Sequence, residues 1–229
     1  MTGLESTLRT CRIADDNTII IGFIVLFLLF TYALYRCRTI LAYKMKTYFS
    51  SRQMYIAGDI MSSEREQIAL FLLIFIGMIN ISLVLFADAN ETISGKSINY
   101  PLFFNTFLTV SLCTVMQICT YIFINWVFFL PETSRRWISS YMYLLATVSI
   151  AAIPLSILRI FNAGNISTFI SYCLITVVIM QKIIVFCKLF VNFRPKRYGR
   201  LLFFLYFCGV EIMPALIVLH IFRQMRVLI

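Results

Sequence analysis

The carboxylate of Glu211 stands near the middle of an apolar run that extends from Leu201 to Phe222, and Pro214 follows it three residues later. A helix of that length crosses a bilayer, and an acid at its midpoint is costly in hydrocarbon unless it is paired, protonated or used. Pro214 removes the backbone donor that the Val210 carbonyl would accept from, which loosens that turn. Lys182 lies fourteen residues before Lys196 in the short basic loop ahead of this run, and Glu211 lies fifteen after it. Two antiparallel helices joined by that loop place the two groups at nearly the same depth. A pair there would neutralise both charges, whereas burying either alone would drive it to its uncharged form. Arg159 and His220, each close to the end of an apolar run, share a second depth. The set Glu211, Lys182, Arg159, His220 and Pro214 therefore reads in three ways: a packing anchor that locks a hairpin, a proton or ion relay, or a contact with a partner subunit.

Other polar groups inside apolar runs are Asn80, Asn105, Gln117 and Asn125. Hydrogen bonds between helices are the ordinary use of such residues. Gln117 and Asn125, eight apart, share one helix face and are candidates to line a cavity. The sequence holds no nucleophile–base pair, no H-E-x-x-H, no phosphate-binding loop and no dinucleotide fingerprint. No catalytic residue, metal site or cofactor is expected. The seven cysteines are scattered, with no C-x-x-C pair, and most fall in apolar runs where a thiol acts as a small hydrophobe.

These residues need elements to carry them, and the composition says which kind. The chain of 229 residues is 61% hydrophobic and 13% charged, with a mean hydropathy of +0.89. Soluble domains carry about 25% charged residues, so the expected class is an all-α polytopic membrane bundle. A crossing needs about 20 residues of helix. Six runs qualify, at about 18–35, 68–86, 102–130, 140–160, 168–190 and 200–222. The long basic linker 36–67 reads either as an amphipathic helix in the interface or as an extension of the first span. Gly58-Asp59 marks a turn, and Ser63-x-x-Glu66 is a capping box for the second span. The loop from Ala87 to Tyr100 holds Asp88 and Glu91.

The net charge of +10 is distributed unevenly. Thirteen of the 20 Lys and Arg follow the first, third and fifth runs, and five lie on the other side. That bias places the odd-numbered connections in the cytoplasm and both termini in the periplasm. It also explains the positive charge without nucleic acid as a partner; the expected partners are the lipid bilayer and other integral membrane subunits.

The last run, with Leu205-Tyr206-Phe207-Cys208-Gly209-Val210-Glu211-Ile212-Met213-Pro214, resembles an uncharacterised family of six-span inner-membrane proteins of the Bacteroidota. Members of that family end in a glutamate-x-x-proline helix preceded by a short basic loop. Met213 stands where leucine is usual, a departure that leaves the glutamate untouched. The resemblance implies a bacterial inner membrane and a place beside envelope-biogenesis or secretion machinery, and it carries no activity. The expected function is that of a non-enzymatic integral subunit of a larger inner-membrane complex. The alternative is a small proton-coupled carrier that uses Glu211 at the membrane midplane.

Overall fold

A computed structural model describes residues 17–48, 64–93, 100–128, 131–162 and 165–193, together with Gly209, Met213, Leu216 and Ile217. Every element among these residues is helical: α1 (Asn17–Tyr48), α2 (Glu64–Ile93), α3 (Tyr100–Phe128), α4 (Pro131–Phe161) and α5 (Asn165–Phe193). Helices are what an apolar chain must form in lipid, because each then satisfies its backbone N–H and C=O groups internally. Each of the five has a stretch of 22 to 26 residues long and apolar enough to cross a membrane. Five such helices make a multi-pass membrane protein.

Six spans are expected from the sequence, and the structure supports five. The sixth run, 200–222, lies almost wholly outside the described residues, as do the first sixteen residues, so the expected placement of both termini falls outside them too. The boundaries that are described run past the hydropathic core at both ends. α1 continues without a break from the first apolar run through Arg36 and Arg38 to Tyr48. α2 likewise begins at Glu64 and does not end until Ile93, so Asp88 belongs to a helix rather than to the loop expected at Ala87 to Tyr100. Nothing in that segment breaks a helix: Asp88-Ala89-Asn90-Glu91 contains no proline or glycine, and the backbone simply keeps its ladder as it leaves the apolar zone. Pro131 begins α4, a position where its missing donor costs nothing. Pro154, inside α4, is exposed on the helix's outer side and does not end it.

The helices alternate in direction. Contacts close to each turn fix this: Cys37 Sγ of α1 donates to the Glu66 carbonyl of α2 at 3.6 Å, and Phe86 of α2 meets Phe103 of α3 edge-on at 5.6 Å. Tyr121 of α3 and Tyr141 of α4 have ring centroids 4.4 Å apart. We call the end of the bundle that carries Arg36 and Arg38 the basic end. α2 packs against all four other helices, and α4 against α2, α3 and α5. The α2–α4 pair is thus the axis on which the rest is hung.

Small residues make that axis possible. A Cβ added to Gly77 of α2 would collide with the Ser149 side chain and come within 2.9 Å of the Ser149 Cα on α4. The backbones meet so closely that only glycine fits, as is usual where helices pack in lipid without a hydrophobic drive between them. Toward the basic end, Ala33 and Cys37 of α1 fit against Leu70 and Leu73 of α2 and Ala146 of α4. At mid-depth Val84, Ala152 and Leu174 join α2, α4 and α5. Phe86, Ala89 and Leu102 join α2 to α3 at the opposite end.

α1 packs into the bundle through its middle turns, where Phe30, Leu34 and Ile40 flank the buried residues. Ala33, Cys37 and Leu41 are buried, but no residue from Asn17 to Tyr32 is. A Cβ built on Gly22 meets nothing within 4 Å.

Candidate functional site

At the end of the bundle opposite the basic one, α2, α4 and α5 bring four polar side chains together. Arg159 sits in the last turn of α4 and is only 2% exposed. Its Nη2 lies 2.7 Å from Asp88 Oδ1 on α2. The Arg159 Nε donates to the same oxygen at 3.0 Å and to Ser171 Oγ on α5 at 3.1 Å. Ser171 Oγ itself donates to Asp88 Oδ1 at 2.8 Å, and Arg159 Nη1 donates to Ser167 Oγ. Three donors therefore converge on one carboxylate oxygen, and both serines, Ser167 and Ser171, are buried. Asp88, 24% exposed, is the member nearest the outside.

The local sequence explains the placement. α4 ends at Phe161 and α5 begins at Asn165. The two helices run antiparallel, which sets Ser167 opposite Arg159, and Ser171 follows one turn later on the same face of α5. A guanidinium buried in a bundle must have its donors satisfied and its charge balanced. Asp88 supplies the charge, and the two hydroxyls take what the carboxylate leaves.

One turn deeper, Ser156 of α4 donates to Asn80 Oδ1 of α2 at 2.5 Å. The Asn80 amide donates to the Ile76 carbonyl at 2.8 Å. Both residues are buried, at 0% and 2% exposure. With Gly77 and Ser149 deeper still, a seam of small and polar groups runs down the α2–α4 contact. Its upper part is closed by side chain–side chain bonds. Such an arrangement fixes the relative positions of three helices; it holds charges still.

The residues singled out in the sequence divide accordingly. Arg159 is at the heart of the cluster, with Asp88, Ser167 and Ser171 as its partners. Lys182 lies on α5 in the basic half of the bundle, partly buried. Counting along α5 from Ser171 puts it about 16 Å from the Arg159 cluster along the helix axis. Glu211, Pro214 and His220 lie outside the described residues, so the expected pairings of Lys182 with Glu211 and of Arg159 with His220 fall there too. Gln117 is buried, 8% exposed, on the α3 face that also carries the buried Tyr121. Asn125 is part of α3, but its side chain lies outside the described residues. Asn80 makes the interhelical hydrogen bond expected of it, and Asn105 lies on an exposed face of α3.

The sequence reading missed Asp88, Ser156, Ser167 and Ser171. A signal for Asp88 was present, since the first carboxylate past the end of the second run stands at the depth of Arg159 at the end of the fourth. The serines gave none, because a serine in an apolar run is usually satisfied by its own helix, as Ser149 Oγ is by the Leu145 carbonyl at 3.0 Å. Gln181 was also unremarked. It is 6% exposed, and its Nε2 has no hydrogen-bond partner among the described residues.

No curated protein and no solved structure matches this chain. A family described as a domain of unknown function, DUF4271, matches residues 19–222, a span that takes in nearly all of α1 and the whole of α2 to α5, and the chain belongs to that family.

Proposed function

We propose that the protein is a non-enzymatic integral subunit or accessory factor of a larger complex in a bacterial inner membrane. On this reading it has six spans, both termini on the periplasmic side and a cytoplasmic basic face, and it serves envelope biogenesis or protein secretion. The observation that supports a subunit is the uneven burial of the first helix. From Asn17 to Tyr32, some 24 Å of helix, α1 carries no buried side chain, while its following turns are packed tightly through Ala33, Cys37 and Leu41. A helix packed into the bundle at one end and without a buried side chain at the other presents an apolar flank, including Ile21, Phe27 and Leu28, to another membrane helix. The cluster around Arg159 points the same way. The charged group that a relay would need is held by Asp88, Ser167 and Ser171, which suits a rigid scaffold better than a moving carrier.

The test is photo-crosslinking in living cells from probes at Ile21 and Leu28, with a probe at the packed Cys37 as the control. Adducts between this chain and another membrane polypeptide from the first two positions, and not from the third, are expected. A chain that forms only internal adducts, and that purifies as a lone monomer in mild detergent, overturns the proposal.

A further inference from the structure

Near the basic end, α1 carries two arginines that are each held against an aromatic ring. The guanidinium carbon of Arg36 lies 5.7 Å from the Tyr32 ring centroid, and that of Arg38 lies 4.9 Å from the Tyr35 centroid. All four side chains are exposed. With 3.6 residues per turn, Arg36 and Arg38 lie about 100° to either side of the packed face that runs through Cys37. They do not form one pocket but a collar on both flanks of the helix. Helical side chains lean toward the N-terminus, so each cation is folded back toward the apolar part of α1 rather than reaching out into water.

The composition alone explains why arginines follow the first span. It does not explain why both are drawn back onto tyrosines. A long cation at this point would ordinarily extend away from the hydrocarbon toward water. A guanidinium held over the face of a ring engages the ring with its charge and not with its N–H donors, and that fork of donors matches a phosphate. The contact of Cys37 Sγ with the Glu66 carbonyl sets the start of α2 at the same level, where the exposed Arg65 adds a third cation beside the partly buried Glu66.

We propose that Arg36 and Arg38, each held over its tyrosine ring, bind the phosphate headgroups of anionic phospholipids in the leaflet at the basic end, and so set the depth of α1. The inference is independent of the subunit reading, since it concerns lipid rather than protein at a different part of the helix.

The experiment uses the full chain in nanodiscs of mixed phosphatidylglycerol and phosphatidylcholine, and measures the lipids retained on the protein by native mass spectrometry. Phosphatidylglycerol is expected to be enriched over the bulk ratio, and excess inorganic phosphate is expected to leave that enrichment in place. Arg36→Gln and Arg38→Gln should each weaken retention about fivefold, and the double variant about twenty-five-fold. Arg135→Gln with Arg136→Gln removes the same charge from the start of α4, at the same end of the bundle, and should cost clearly less retention than the α1 pair. Where the arginine variants fail to insert, Tyr32→Leu with Tyr35→Leu keeps every charge, and each substitution should cost about two- to fivefold. Equal losses in the two arginine pairs, loss of retention with free phosphate, or no enrichment in the native chain would each overturn the proposal.

Discussion

Replacing Asp88 by alanine tests whether the bundle is held at its outer end by one carboxylate. The substitution removes the acceptor of Arg159 Nη2 at 2.7 Å, of Arg159 Nε at 3.0 Å and of Ser171 Oγ at 2.8 Å. Arg159, 2% exposed, cannot follow its charge into water without pulling α4 away from α2 and α5. Breaking a buried pair by removing one partner costs about 3–5 kcal/mol, because the remaining charge is stranded. Asp88 is itself 24% exposed, which admits some water and moves the expectation to the lower limit. Ser167 and Ser171 remain as partial partners for the guanidinium. We therefore expect a loss of about 3 kcal/mol, roughly a hundredfold in the folding equilibrium.

The control is the double change Asp88→Leu with Arg159→Met. A well-packed apolar pair is often no worse than a buried ion pair, so the double variant should recover most of the loss. The assay is unfolding of the purified protein in mixed micelles by titration with a denaturing detergent, with all variants measured in one series. If Asp88→Ala is stable to within about 1 kcal/mol of the native chain, or if the double variant is as damaged as the single one, then Asp88 does not balance Arg159 and the scaffold argument fails.

Two further outcomes are expected. Gly77→Ala should destabilise the chain by about 1–3 kcal/mol by forcing α2 away from α4, and Ser149→Gly in the same chain should return part of that, as read by the same unfolding series. If Lys182 and Glu211 pair at one depth, then Lys182→Gln and Glu211→Gln should each lower the amount of protein in the membrane, and the double variant should do little further harm; strictly additive losses on immunoblots of membrane fractions count against the pairing.

The polar cluster shows how far a linear reading reaches. Arg159 was legible because a charge in an apolar run is conspicuous wherever it stands, and Asn80 was legible because a neutral amide there also needs a hydrogen-bond partner. Asp88 was legible only by its depth, which matches that of Arg159, because it sits where a hydropathic run fades and a loop is the economical assumption. Ser156, Ser167 and Ser171 were invisible, since nothing in their own segments distinguishes a serine bonded across a helix interface from one bonded to its own backbone. Gly77 shows the same limit. Its role comes from Ser149, 72 residues away in sequence, which presses against it from α4.

By itself, the sequence determined the solvent and the secondary structure of this protein. A chain with so few charges and apolar runs of this length must place them in lipid, and in lipid those runs must be helices, because only a helix satisfies its own backbone there. The tertiary structure decided which helices touch. Hydropathy is a property of each segment taken alone, whereas the pairing of Arg159 with Asp88, the contact of Gly77 with Ser149 and the uneven burial of α1 depend on how separate segments fit side by side. Lipid-facing and helix-facing surfaces are equally apolar, so the lateral arrangement rests on small residues and a few polar bonds.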